Sequence, residues 1–110
     1  MDLDEFQRRC KQTDDPKQPV EYYTHAIMEE VGELMREWKE FIRKNTREKH
    51  KLTDEEYKRI RMEIFDIMWD LSMFADRLNI KIDNVAHDGL AKLKSREDKG
   101  TVHERSTRYE

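Results

Sequence analysis

The chain has 110 residues, 43% of them charged and only 35% apolar, against roughly 25% and about 45–50% in ordinary globular chains. Its 25 acids nearly cancel its 22 bases to leave a net charge of −3, which separates it from highly charged disordered segments and from basic nucleic-acid-binding proteins. That length holds one domain with a single core and has no room for a second, substrate-binding one.

Two prolines and three glycines in the whole chain, with no alternating apolar pattern, predict an all-α domain. A short helix over residues 2–12 presents Leu3, Phe6 and Cys10 and stops before TDDPKQP, which carries both prolines. A long helix follows from Val20 to about Lys44, apolar at Val20, Tyr23, Ile27, Val31, Leu34, Trp38 and Phe41. The hydrophilic residues 43–56 connect it to a second long helix. Its start at Thr53-Asp-Glu-Glu56 fits a capping box, and its stripe is Tyr57, Ile60, Ile64, Ile67, Leu71, Phe74 and Leu78. Asn79 to Asp83 predicts a break, with Asp83 as N-cap of a last helix from Asn84 to about Asp98. Residues 1–98 thus form the domain and 99–110 a polar tail. The expected architecture is an antiparallel helical hairpin at the core of four to five helices, of four-helix-bundle type, assembled as an oligomer.

A lone Cys10 leaves no internal disulfide to form. The acidic start MDLDEF lacks the apolar core of a signal peptide. The most apolar stretch, Ile64 to Ala75, is interrupted by Asp66 and Asp70 and is too short for a bilayer. A soluble cytoplasmic protein with no membrane or nucleic-acid partner is the expectation.

The two long helices carry the same design. Glu30, Glu33 and Glu37 flank the Ile27 stripe as Glu63, Asp66 and Asp70 flank the Ile60 stripe, every pair offset by 33 residues. In an antiparallel hairpin, a two-fold axis between the helices brings flanks of the same hand to the same side. Glu33 lies 11 residues before Lys44 and Asp66 12 after Asp54, so at a rise of ~1.5 Å per residue both stand roughly 17 Å from the hairpin end. Six carboxylates then line one groove, with Glu29 at its border. Two such charges ~5 Å apart repel by about 3 kcal/mol at an effective dielectric near 20. Either solvent separates them, as on any acidic helix face with Lys44, Arg59 and Arg77 as partners, or a cation neutralises them. All-oxygen ligation suits Mg²⁺ or Mn²⁺ better than zinc. A di-iron bundle needs Glu-x-x-His, which none of the four histidines supplies, and His87-Asp88 stands without the further histidines of a metal phosphohydrolase.

Glu29-Glu30-Val31-Gly32-Glu33-Leu34 followed by Glu63-Ile-Phe-Asp66 resembles the EExxE and ExxD motifs of the MazG-like, all-α nucleoside triphosphate pyrophosphohydrolases, over about residues 20–97. The 29 residues between Glu33 and Glu63 are a long connection for that pattern. The resemblance implies Glu30, Glu33, Glu63 and Asp66 as Mg²⁺ ligands, with Mn²⁺ as a possible substitute. It also implies Glu29 as the group that orients or deprotonates the attacking water, in hydrolysis of an NTP or dNTP to the monophosphate and pyrophosphate for nucleotide-pool clearance. Glu37 and Asp70 fall outside the pattern and read as structural or supporting. Lys92, Lys94 and Arg96 resemble phosphate-contacting positions of the family's last helix, and equally fit a solvated helix end favoured by the dipole. Arg59, one turn before Glu63, is either a further phosphate contact or an ion pair with Glu63. His103 and Arg105 are weaker candidates in the tail. Tyr22, Tyr23 or Trp38 can stack on a base, and aromatics at helical spacing equally belong to a core.

Gly32, inside a helix and opposite the acids, predicts close approach of a neighbouring helix. A second apolar set, Met62, Phe65 and Trp69 with Met68, predicts a homodimer or dimer of dimers through that face. Two other functions fit the sequence. One is a non-catalytic helical interaction module, and the other, within the same superfamily, is phosphoribosyl-ATP pyrophosphohydrolase.

Overall fold

The computed structural model describes residues 1–44 and 51–103. Four helices follow in order: α1 (Leu3–Lys11), α2 (Val20–Lys44), α3 (Asp54–Arg77) and α4 (Ile82–Asp98). Residues 45–50 of the expected polar connection, and Arg105 with the end of the tail, lie outside the described residues.

Local chemistry sets the helix ends. Thr53 accepts from the Glu56 backbone N–H at 3.1 Å while the Glu56 carboxylate accepts from the Thr53 N–H at 2.9 Å, completing the capping box. Helix α3 ends in a Schellman turn: Asn79 takes the left-handed conformation (φ 57°), and the Ile80 N–H reaches the Ala75 carbonyl at 2.8 Å. Gly100 (φ 72°) closes α4 in the same way, with the Thr101 N–H on the Arg96 carbonyl at 2.8 Å.

Helix α4 begins earlier than the sequence pattern suggests, at Ile82, and Asp83 sits in its first turn rather than at its cap. A residue distant in sequence does the capping. Gln7, buried on α1, accepts from the Ile82 N–H at 3.1 Å and donates to the carbonyls of Ile80 (2.9 Å) and Ser72 (3.2 Å). One amide thus ties α1, the end of α3 and the start of α4 together.

Helices α2 and α3 form the antiparallel hairpin, α1 packs on α3, and α4 packs chiefly on α1. The buried core of Cys10, Tyr23 and Met73, backed by Phe6, Trp69 and Phe74, lies where α1 meets the hairpin. Of the face expected at a subunit interface, Phe65 and Trp69 meet α1 and the turn after it, while Met62, Phe65 and Met68 stay exposed. Phe6 meets Phe65 edge to face at 6.2 Å, and Trp69 Nε1 donates to Thr13 Oγ1 at 2.9 Å.

Only part of each long stripe is inside. Tyr23 and Phe41 are buried and Ile27, Leu34, Ile60 and Ile67 half-buried, but Val31, Trp38, Ile64 and Leu71 are exposed. Two helices touch along one line, and here that line runs on the acidic side of the stripes, leaving their other side bare. Nor does a neighbour approach Gly32, where an added Cβ would meet nothing within 4 Å. The radius of gyration, 17.2 Å, exceeds the roughly 13 Å of a compact domain of this length.

Candidate metal and catalytic site

Helical spacing puts Glu30 and Glu33 on one flank of α2 and Glu63 and Asp66 on the matching flank of α3. The hairpin then brings one oxygen each from Glu30, Glu33 and Glu63 within 4.8 Å of one another. Glu30 Oε2 and Glu63 Oε2 are closed off from solvent and have no hydrogen-bond partner. Burial, and then the charges of Asp66, Glu33, Glu63 and Asp70, push the Glu30 carboxyl up to about 7. Glu63 is raised by burial first and then by Glu33.

Asp66 and Glu29 enter this site through their charge. Asp70 is buried, and burial followed by Asp66 and Glu29 pushes its carboxyl up to about 6. It therefore belongs to the same electrostatic unit, although it lies outside the motif pattern; its place seven residues after Glu63 was the available signal. Glu37 turns away, pairing across the hairpin with Arg59 at 3.7 Å. That contact, rather than a pair with Glu63, is where Arg59 is found.

Buried carboxylates are stable only when protonated or paired with cations. Clustered carboxylate oxygens with two orphaned atoms fit a hard divalent ion such as Mg²⁺ or Mn²⁺.

The two ends of the carboxylate row differ. Toward the hairpin end lies a cavity of about 170 Å³ whose lining includes Arg59, Lys44, Glu37 and Glu56. Toward the start of α2 lies an open recess of about 520 Å³, where Gln18, Pro19, Tyr22, His25 and Ala26 meet Glu29, Glu30 and Asp70. Arg77 fixes the wall of this recess. Its guanidinium pairs with Asp14 at 2.8 Å, donates to the carbonyls of Asp15 (3.0 Å) and Gln18 (3.3 Å) and to the Tyr23 hydroxyl (2.8 Å), and lies over the Tyr23 ring. The Tyr23 hydroxyl in turn donates to Asp14. Of the three aromatic candidates, Tyr23 is thus core, Trp38 packs against Phe41 (5.0 Å between centroids), and Tyr22 lines the recess.

The bases of α4 have local partners. Lys94 pairs with Asp98 at 3.2 Å, and Arg96 donates twice to the Thr101 carbonyl, at 3.3 and 3.2 Å. Lys92 lines an apolar recess with Val85 and Leu93, and His103 is exposed.

A helical hairpin presenting facing carboxylates defines an all-α protein with an acidic cluster that could hold a metal ion. Residues 18–101 match the MazG nucleotide pyrophosphohydrolase domain, and the chain belongs to that family. Over 83 residues it is 28% identical to the "Gene 37 protein" of Mycobacterium phage L5, covering 76% of this chain and 70% of that protein. No solved structure matches it. Among the described residues, no helix is long and apolar enough to cross a membrane.

Proposed function

We propose that this protein hydrolyses nucleoside triphosphates, NTP or dNTP, to the monophosphate and pyrophosphate with Mg²⁺, for which Mn²⁺ can substitute, and so clears nucleotides from the pool. The observation that carries this reading is the convergence of Glu30, Glu33 and Glu63, with two oxygens orphaned from solvent. These three and Asp66 would hold the metal. A divalent ion, when bound, screens the carboxylates from one another and activates water near the polyphosphate.

Glu29, exposed at the rim and electrostatically coupled to Asp70, is assigned to the water. As the water oxygen bonds to a phosphorus of the α–β anhydride and that P–O–P link opens, Glu29 takes the water proton. Arg59 faces the phosphate charge that the metal leaves uncovered. For Lys92, Lys94 and Arg96, on a helix packed against α1, contact with the phosphates is assigned through a second subunit.

That subunit is a second copy of this chain, in a homodimer or dimer of dimers. The bare side of the hairpin, Val31, Met35 and Ile42 on α2 with Ile64, Met68 and Leu71 on α3, is 39–53% exposed per residue, more apolar surface than a monomer ordinarily leaves in water.

A panel of canonical and modified (d)NTPs, with phosphoribosyl-ATP included, assayed for pyrophosphate against phosphate release tests the reaction. Pyrophosphate release that Glu33→Gln and Asp66→Asn abolish in folded protein is the expected result. Full turnover in both variants removes the proposal. A non-catalytic interaction module predicts no turnover and no effect of Mg²⁺ or nucleotide on melting.

A further inference from the structure

The unlike ends of the carboxylate row give a bound nucleotide a direction. This inference rests on the nucleotide reading above and deepens it. We propose that the recess at the start of α2 is the nucleoside subsite, with Tyr22 as the stacking platform for the base and His25 as a hydrogen-bond acceptor for its edge, so that the polyphosphate runs toward Arg59.

Three observations carry it. First, the recess is continuous with the carboxylates, since Glu29, Glu30 and Asp70 line it together with Tyr22 and His25. Tyr22 precedes Glu29 by seven residues on the same helix flank, about 10 Å along the axis, so a group against its ring is one nucleoside away from the acids. Secondly, Tyr22 is rigid yet open. It is 48% exposed, and its ring stands edge to face with Tyr23 at 5.2 Å and 89°, while Tyr23 is itself held by Asp14 and Arg77. Aromatic rings that present a free face bind bases by stacking.

Thirdly, the tautomer of His25 is set. Its Nδ1 lies 2.7 Å from the Glu21 carbonyl oxygen, which can only accept, so Nδ1 carries the hydrogen. With Nδ1 as the donor, Nε2 is the ring nitrogen left to accept, complementary to an N–H on a base edge. The opposite end of the row carries Arg59 and Lys44 among Glu37, Glu40 and Glu56, and of the two ends it is the one that offers Lys and Arg side chains to a phosphate.

The test measures binding rather than turnover. Wild type, Tyr22→Ala, Tyr22→Phe and His25→Ala are titrated, with Mg²⁺, with the α,β-methylene analogues of dATP, dCTP, dGTP and dTTP and with inorganic tripolyphosphate. Tyr22→Ala should weaken nucleotide binding about tenfold, the size of one lost base stack, and His25→Ala about fivefold. Tyr22→Phe should bind as wild type, and tripolyphosphate should bind all four proteins alike. Unchanged nucleotide affinity in Tyr22→Ala and His25→Ala overturns the subsite, as does an equal loss of tripolyphosphate binding. So does a wild type that holds nucleotides no more tightly than tripolyphosphate. Nucleotide binding with this pattern but without turnover of the natural dNTPs sinks the hydrolase reading and leaves the subsite standing.

Discussion

Glu30 and Glu63 face one another across the hairpin, each with a carboxylate oxygen that neither solvent nor a hydrogen-bond donor reaches. The Glu30 carboxyl is raised from 4.5 to about 7 and Asp70 from 3.8 to about 6. In the metal-free protein the folded state therefore keeps protons that the unfolded chain has already released. Stability contributed by these groups is present at low pH and lost as pH rises through that window. Thermal melting should show the metal-free Tm falling between about pH 5 and about pH 8, with Glu30→Gln flattening the slope. Mg²⁺ should raise Tm more at the higher pH, because a carboxylate ligand must be deprotonated. A metal-free Tm that climbs across this window contradicts the coupling.

Gln7 joins three helices through one buried amide. Gln7→Leu keeps the bulk but strands the Ile82 N–H and the Ser72 and Ile80 carbonyls, so the loss should be about 3 kcal/mol, read as a lower urea midpoint at unchanged slope. A wild-type midpoint would mean that water replaces the amide at no cost.

Substitutions on opposite sides of α3 should separate assembly from folding. Ile64→Glu or Leu71→Glu, on the bare side, should lower the sedimentation coefficient to that of a monomer while the helical signal is retained. Trp69→Glu, against α1 and Thr13, should destabilise the fold by several kcal/mol, since it buries a charge in the core contact. Unchanged sedimentation of both bare-side variants would exclude that side as the interface.

Much of this was legible in the sequence because the relevant patterns are local. Three-then-four spacing marks both long helices, the Thr53–Glu56 pair marks the start of α3, and of the two acid sets the hairpin brings Glu30, Glu33 and Glu63 together. What stayed hidden depends on contacts between distant residues. No spacing rule links Gln7 to Ile82, and so the sequence pattern starts α4 at Asn84, with Asp83 as its cap, two residues after the observed start at Ile82. Periodicity shows that Phe65 and Trp69 are apolar, but not that α1 and the turn after it pack against them. Arg59 sits within reach of both Glu63 on its own helix and Glu37 on the other, and only the packed hairpin shows the second. Asp70 was visible as an acid on the right flank, and its participation follows from burial, which spacing does not report.

The most direct measurement is ³¹P NMR of a dNTP incubated with Mg²⁺ and either wild type or Glu63→Gln, both checked for helical content. Wild type should give dNMP and pyrophosphate in equal amounts, chelation of the metal should stop the reaction, and Glu63→Gln should slow it at least a hundredfold, about 2.7 kcal/mol of barrier. Formation of dNDP and phosphate, or wild-type rates in Glu63→Gln, would contradict a pyrophosphohydrolase built on these carboxylates.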